Sequence, residues 1–144
     1  MNAVFADASY WIALFNPRDR LHATAIAVSQ AVQDRPIVTS QMVLTEFLNH
    51  YAALGQSFRQ RAVQVVRNLE GNADVEIMLQ TAVQCEATLT LYAQRQDKEW
   101  GVTDRASFLI MPERGITEAL AYDEHFQQAG FMPLLRDRQS KIGP

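Results

Sequence analysis

The stretch "GVTDRASFLIMPERGITEALAYDEHF", residues 101–126, decides the fold. Thr103 is a good N-cap for a helix whose apolar residues run at helical spacing until Gly115. The short run 117–122, "TEALAY", reads as a strand, and "DEHFQQAG" opens a second helix directly behind it. Helix, strand and helix in so short a space are the signature of an alternating α/β chain. Within it, Asp104 stands in a first helical turn and Asp123 at a strand-to-helix junction.

The same alternation continues outward. Residues 3–7, "AVFAD", form a short apolar run ending in an acid, and "SYWIALFN" follows with helical spacing until Pro17. An alanine-rich helix over 21–34 leads to the β-branched strand "PIVTS" (36–40), and helices are predicted over 41–54 and 58–71, with Gly71 as a C-cap. A third strand, "VEIML" (75–79), precedes a long helix over 82–96, and "FMPLL" (131–135) supplies the last strand. Five strands alternating with helices predict a three-layer α/β/α domain with a mainly parallel central sheet. The whole chain, 1–144, is expected to form this single domain, with a flexible basic tail over 136–144 containing Arg136, Arg138 and Lys141.

Composition narrows the function. There is no basic segment before an apolar run and no apolar run of bilayer length, so a cytoplasmic protein without a membrane span is expected. The single cysteine, Cys85, cannot form an intramolecular disulfide and reads as a small core residue. A net charge of −3 argues against a generally basic nucleic-acid binder. If four of the 16 acids form a metal site, however, the other 12 face 13 bases, and a near-neutral chain can carry a centre that attracts phosphate.

Asp7 follows the first strand and Asp123 the fourth, so both are expected in the crevice at the carboxyl ends of the strands, where open α/β sheets bind ligands. Glu46 and Asp104, read as first-turn helical residues, are expected to face the same place. Singly, Asp7, Asp104 and Asp123 are explained as helix caps. Glu46 is less easily explained, because it borders an apolar stripe three residues after Val43 and four after Met42. Four acids at separate junctions, with no base next to Asp7, Glu46 or Asp123, point to a shared cation. Oxygen ligands select Mg²⁺ or Mn²⁺, ions that also accept phosphate oxygens. His22, His50 and His125 lack the paired spacing of a zinc motif and are read as surface or partly packed residues.

In "FADASYWIALFNPRDRLHATA", "VLTEFLN" and "WGVTDRASFLIMPERGITEALAYDEHFQQAGF" the chain resembles PIN-domain proteins, specifically the VapC-type ribonuclease toxins of bacterial toxin–antitoxin pairs. The ordered acids with Phe126 and Gly130 behind the last carry the resemblance. It implies a PIN-like α/β/α fold and metal-dependent hydrolysis of RNA, with Asp7, Glu46, Asp104 and Asp123 holding one or two ions. Asp7 and Asp104 are then direct ligands, Glu46 a ligand or water-orienting base, and Asp123 a ligand of a weaker second ion or an outer-shell acceptor. Thr103 matches the hydroxyl residue that often assists the third acid. Near the first acid Ala8 takes the usual hydroxyl position and Ser9 comes one later. Arg105, where a small residue or cysteine is frequent, would hold a phosphate, partly neutralise Asp104, or stand as a solvated first-turn arginine. The resemblance also implies an RNA substrate, a small antitoxin whose basic side chain enters the acidic groove, and a homodimer, for which the aromatics of "SYWIALF" would supply surface.

Rival readings want other residues. A receiver domain would pair acids after the first strand and place a lysine at a strand end, and an aspartyl phosphatase would have a second acid where Ser9 stands. A non-catalytic PIN-like module that binds RNA or protein is the remaining alternative.

Overall fold

The structure is a computed structural model that describes residues 2–94 and 97–136. The tail expected from 136 onward therefore lies outside the described residues except for Arg136. Five strands form the sheet: β1 (Val4–Ala6), β2 (Ile37–Ser40), β3 (Val75–Met78), β4 (Glu118–Leu120) and β5 (Met132–Pro133). Each matches a predicted run. Their order is β3-β2-β1-β4-β5, and every pair is parallel.

β1 is the central strand, with Val4, Phe5 and Ala6 all excluded from solvent. It pairs with β2 through Val4 opposite Ile37 and with β4 through Phe5 opposite Ala119. Strand order reverses at β1, since β2 and β3 extend to one side and β4 and β5 to the other. A crevice opens there at the carboxyl ends of the strands. Right-handed crossovers put α1 (Ala8–Phe15), α2 (His22–Ala31), α3 (Gln41–His50) and α4 (Gln56–Glu70) on one face of the sheet. The opposite face takes α5 (Ala82–Gln94), α6 (Val102–Glu113) and α7 (Glu124–Gln128). The layers meet where α3 approaches α6.

The core beneath this crevice is tied as well as packed. Trp11 on α1 is buried, and its indole N–H donates to Thr39 Oγ1 at 3.2 Å. The Thr39 hydroxyl in turn donates to the Ala6 carbonyl at 2.8 Å. A buried indole without such a partner would be costly, so this chain fixes α1 against β1 and β2 one residue from Asp7. On the other face Phe108 meets Phe126 edge to face, and Gly130, at φ +94°, turns the chain from α7 into β5.

Several expectations are corrected. Thr103 is not the N-cap of α6; Gly101 is, and Asp104 reaches back to accept from the Gly101 N–H at 3.3 Å. Glu46 lies in the second turn of α3, whose N-cap is Ser40. Cys85 is exposed rather than a core residue, because α5 packs mainly on α6 and buries only Thr88 among its described residues. Tyr10 and Trp11 are core residues, so of the aromatics in "SYWIALF" only Phe15 faces solvent. No helix among the described residues is long and apolar enough to cross a membrane.

Candidate metal centre

Asp7 is the residue by which β1 leaves the sheet. Its N–H continues the ladder to the Leu120 carbonyl at 3.1 Å, and its carbonyl receives the N–H groups of Tyr10 and Trp11 to start α1. The main chain therefore performs the junction, and the carboxylate makes no capping hydrogen bond to the helix. Instead it is buried at 7% exposure, with the Ser9 hydroxyl 3.4 Å from Oδ2. Burial is the first reason its pKa rises from 3.8 to about 7, and Asp104 is the second. The Ala8 N–H opposes the rise, while Glu46 and Asp123 add to it. Glu46, Asp104 and Asp123 are thus each near enough to Asp7 for their charge to raise its pKa.

Glu46 is also raised, by partial burial first. A hydrogen bond from the Thr103 side chain opposes that rise and the charge of Asp104 reinforces it. Thr103, nearly buried on α6, thereby links the two helical layers at the site. Asp123 is the N-cap of α7, with its Oδ1 accepting from the His125 N–H at 3.0 Å. Its capping role is real, yet 45% of the side chain stays exposed towards solvent.

His125 is the residue that reading for paired zinc histidines misses. Its Nδ1 lies 3.0 Å from Asp104 Oδ2 and 3.4 Å from Asp123 Oδ1. Asp104, Asp123 and His125 each offer a donor atom within 4.8 Å of the others, a spacing that fits a divalent ion. The sequence signal is the triplet Asp123-Glu124-His125, because a residue two places after an acidic N-cap presents its side chain at the same helix end.

Arg105 does something other than what its position suggests. It is only 2% exposed, and its guanidinium donates to the carbonyls of Trp100, Lys98 and Leu91 at 2.9, 2.9 and 3.3 Å. It also stacks on Tyr92 and Trp100. The cation is spent on fastening the segment before α6, which is neither a phosphate contact nor a solvated first-turn arginine.

A buried Asp7 whose pKa is raised by neighbouring acids, at the switch point of a five-stranded parallel sheet, makes the arrangement of a PIN domain. The PIN-domain profile matches residues 4–132, and the chain belongs to the PIN-domain family. It is 30% identical over 129 residues to the 23S rRNA-specific endonuclease VapC20 from two strains of Mycobacterium tuberculosis, covering 90% of this chain and 95% of each relative. It also superimposes on the crystal structure of Mycobacterium tuberculosis VapC20, described as a sarcin–ricin-loop-cleaving toxin, with a TM-score of 0.77 and 27% identity. That match spans 90% of this chain and 96% of the other.

Proposed function

We propose that this protein is a metal-dependent endoribonuclease acting as the toxin of a toxin–antitoxin pair. The observation that carries the reading is Asp7, a carboxyl raised to about 7 by burial and by three other acids, with no basic residue among the causes. Such a cluster is costly when ionised and is relieved by a bound cation.

Asp7 and Asp104 would hold the principal ion, with Asp123 and, through Asp104, His125 fixing the far side of the site. The carboxylate donors suit Mg²⁺ or Mn²⁺, and the imidazole is better used to orient Asp104 than as a ligand to so hard an ion. A divalent ion bound there supplies charge to polarise a phosphodiester and lowers the pKa of water. The chain's own residues do the positioning. Thr103 holds the Glu46 carboxylate facing Asp104, where it can accept a proton from the attacking water, and Ser9 steadies Asp7.

The relatives' specificity for 23S rRNA, and the sarcin–ricin loop named for the structural relative, make 23S rRNA the first substrate to test. A small antitoxin with an arginine or lysine entering the acidic groove, and a second copy of the chain, complete the proposed partners. The purified protein should cleave RNA in Mg²⁺ or Mn²⁺, lose cleavage in EDTA, and lose it in Asp104→Asn. Cleavage that persists in EDTA would overturn the reading, and so would RNA binding without cleavage.

A further inference from the structure

Beside the acids lies a cleft of about 490 Å³ lined by Ser9, Asp123 and the side chains of Arg20, Tyr122 and Arg136. It differs from the metal centre in holding two arginines beside its acids. The Arg20 guanidinium lies 4.7 Å from the Tyr122 ring centroid, and that of Arg136 lies 5.0 Å from the same centroid. The two cations are therefore within about 10 Å of each other, no farther than the screening length at 0.1 M salt. Asp19 and Glu124 also line the cleft, yet neither arginine is within ion-pair distance of a carboxylate among the described residues.

Both arginines are presented rather than dangling. Arg136 donates to the Tyr122 carbonyl at 2.9 Å, one residue before Asp123. Arg20 sits in the loop between α1 and α2, whose turns are closed by Asp19 N–H to the Asn16 carbonyl at 3.0 Å and Leu21 N–H to Asp19 Oδ1 at 2.9 Å. A guanidinium stacked on an aromatic face keeps its edge N–H groups free for a planar acceptor.

We propose that Arg20 and Arg136, held on Tyr122, form a clamp for a backbone phosphate of the RNA strand adjacent to the bond cut at the acidic centre. The inference rests on the ribonuclease reading for its ligand and adds the residues that grip the strand. A cluster of acids repels a polyanion, and two cations without an ion-pair partner among the described residues offset that repulsion where the neighbouring phosphate must lie. Tyr122 already carries two guanidinium groups, so it serves as their platform instead of stacking a base. The grip is consequently independent of base sequence.

Arg20→Gln is the cleaner test, because Arg136 also supports the main chain beside Asp123. Binding of short fluorescent single-stranded RNAs of differing sequence is measured by anisotropy in Ca²⁺, and cleavage in Mg²⁺ gives KM and kcat. Arg20→Gln is expected to weaken binding of every RNA by about tenfold, as for the loss of one charge-assisted hydrogen-bonding group. The slope of log affinity against log salt should shrink by about 0.7 for each phosphate of a single strand that is no longer neutralised. KM should rise with kcat within about twofold, which marks a weakening of uniform binding. Arg136→Gln should weaken binding of every RNA alike, and Arg20→Lys should recover part of the affinity.

Unchanged affinity and salt slope in both glutamine variants would overturn the clamp while leaving the nuclease standing. Loss confined to particular sequences would also overturn it, in favour of base reading. A wild-type protein that binds RNA with the expected arginine dependence yet never cleaves it would uphold the clamp and remove the ribonuclease reading.

Discussion

His125 Nδ1 on α7 lies 3.0 Å from Asp104 Oδ2 on α6, so two elements far apart in the chain share one hydrogen bond at the mouth of the acidic centre. The same Asp104 oxygen accepts from the Gly101 N–H. With both bonds on Oδ2, the carboxylate has a fixed orientation and its other oxygen is left for a ligand. His125→Ala removes the orienting partner without removing an acid. Metal affinity, read by isothermal titration with Mn²⁺, and cleavage should each fall by about 10- to 100-fold. Full activity in His125→Ala would show that the hydrogen bond is idle.

Asp7 makes stability depend on pH in a definite sense. Its pKa is about 7 in the folded protein against an ordinary value of 3.8, so the folded chain binds the extra proton between those values. The associated stability is complete below about pH 4 and is lost as pH rises through about 7. A carboxyl displaced this far destabilises the fully ionised fold by on the order of 4 kcal/mol. Metal-free protein should therefore melt at lower temperature at about pH 8 than at about pH 5.5, and Asp7→Asn should remove most of that difference. Adding Mn²⁺ at the higher pH should restore the wild type and leave Asp7→Asn unmoved. A melting temperature that rises with pH in EDTA would contradict the burial of an ionisable Asp7.

The strands are legible in the sequence because each is a short apolar or β-branched run bounded by turn residues, and the acids because they end those runs or begin helices. Three-dimensional company is not legible. Arg105 and Arg136 look equally solvated in the sequence, yet one is buried under three carbonyl acceptors and the other shares a tyrosine with Arg20. His125 escapes a search for metal motifs that pair histidines, whereas here the imidazole pairs with a carboxylate 21 residues away. Cys85 reads as a core residue because helical spacing of small residues shows a face without showing whether anything covers it.

Arg105 should prove a determinant of stability. Its guanidinium satisfies three main-chain carbonyls, and truncation leaves those acceptors and two aromatic faces without their partner. Arg105→Ala should cost about 3 kcal/mol in urea unfolding, and Arg105→Lys should recover little, because an ammonium cannot reproduce the planar fork. At a temperature where Arg105→Ala is folded, its KM for RNA should match the wild type. A tenfold higher KM with unchanged stability would instead restore the phosphate-holding role.

Besides Phe15 on α1, α5 and the end of β3 offer apolar surface for self-association. Val83 is 83% exposed and Leu79 63%, and Leu89 and Tyr92 further along α5 are about half exposed. A two-fold interface brings each residue near its own copy, so a self-complementary patch must avoid like charges. α5 meets that condition, since Glu86 is its one charged residue over Ala82–Gln94. Light scattering should give about twice the 16.3 kDa chain mass, and Val83→Glu with Leu89→Glu should return the monomer mass by placing like charges across the axis. Both substitutions fall on exposed positions, so the melting temperature of the resulting monomer reports only the loss of association. A wild-type chain that stays monomeric at tens of micromolar, or a dimer indifferent to both glutamates, would remove α5 from the interface.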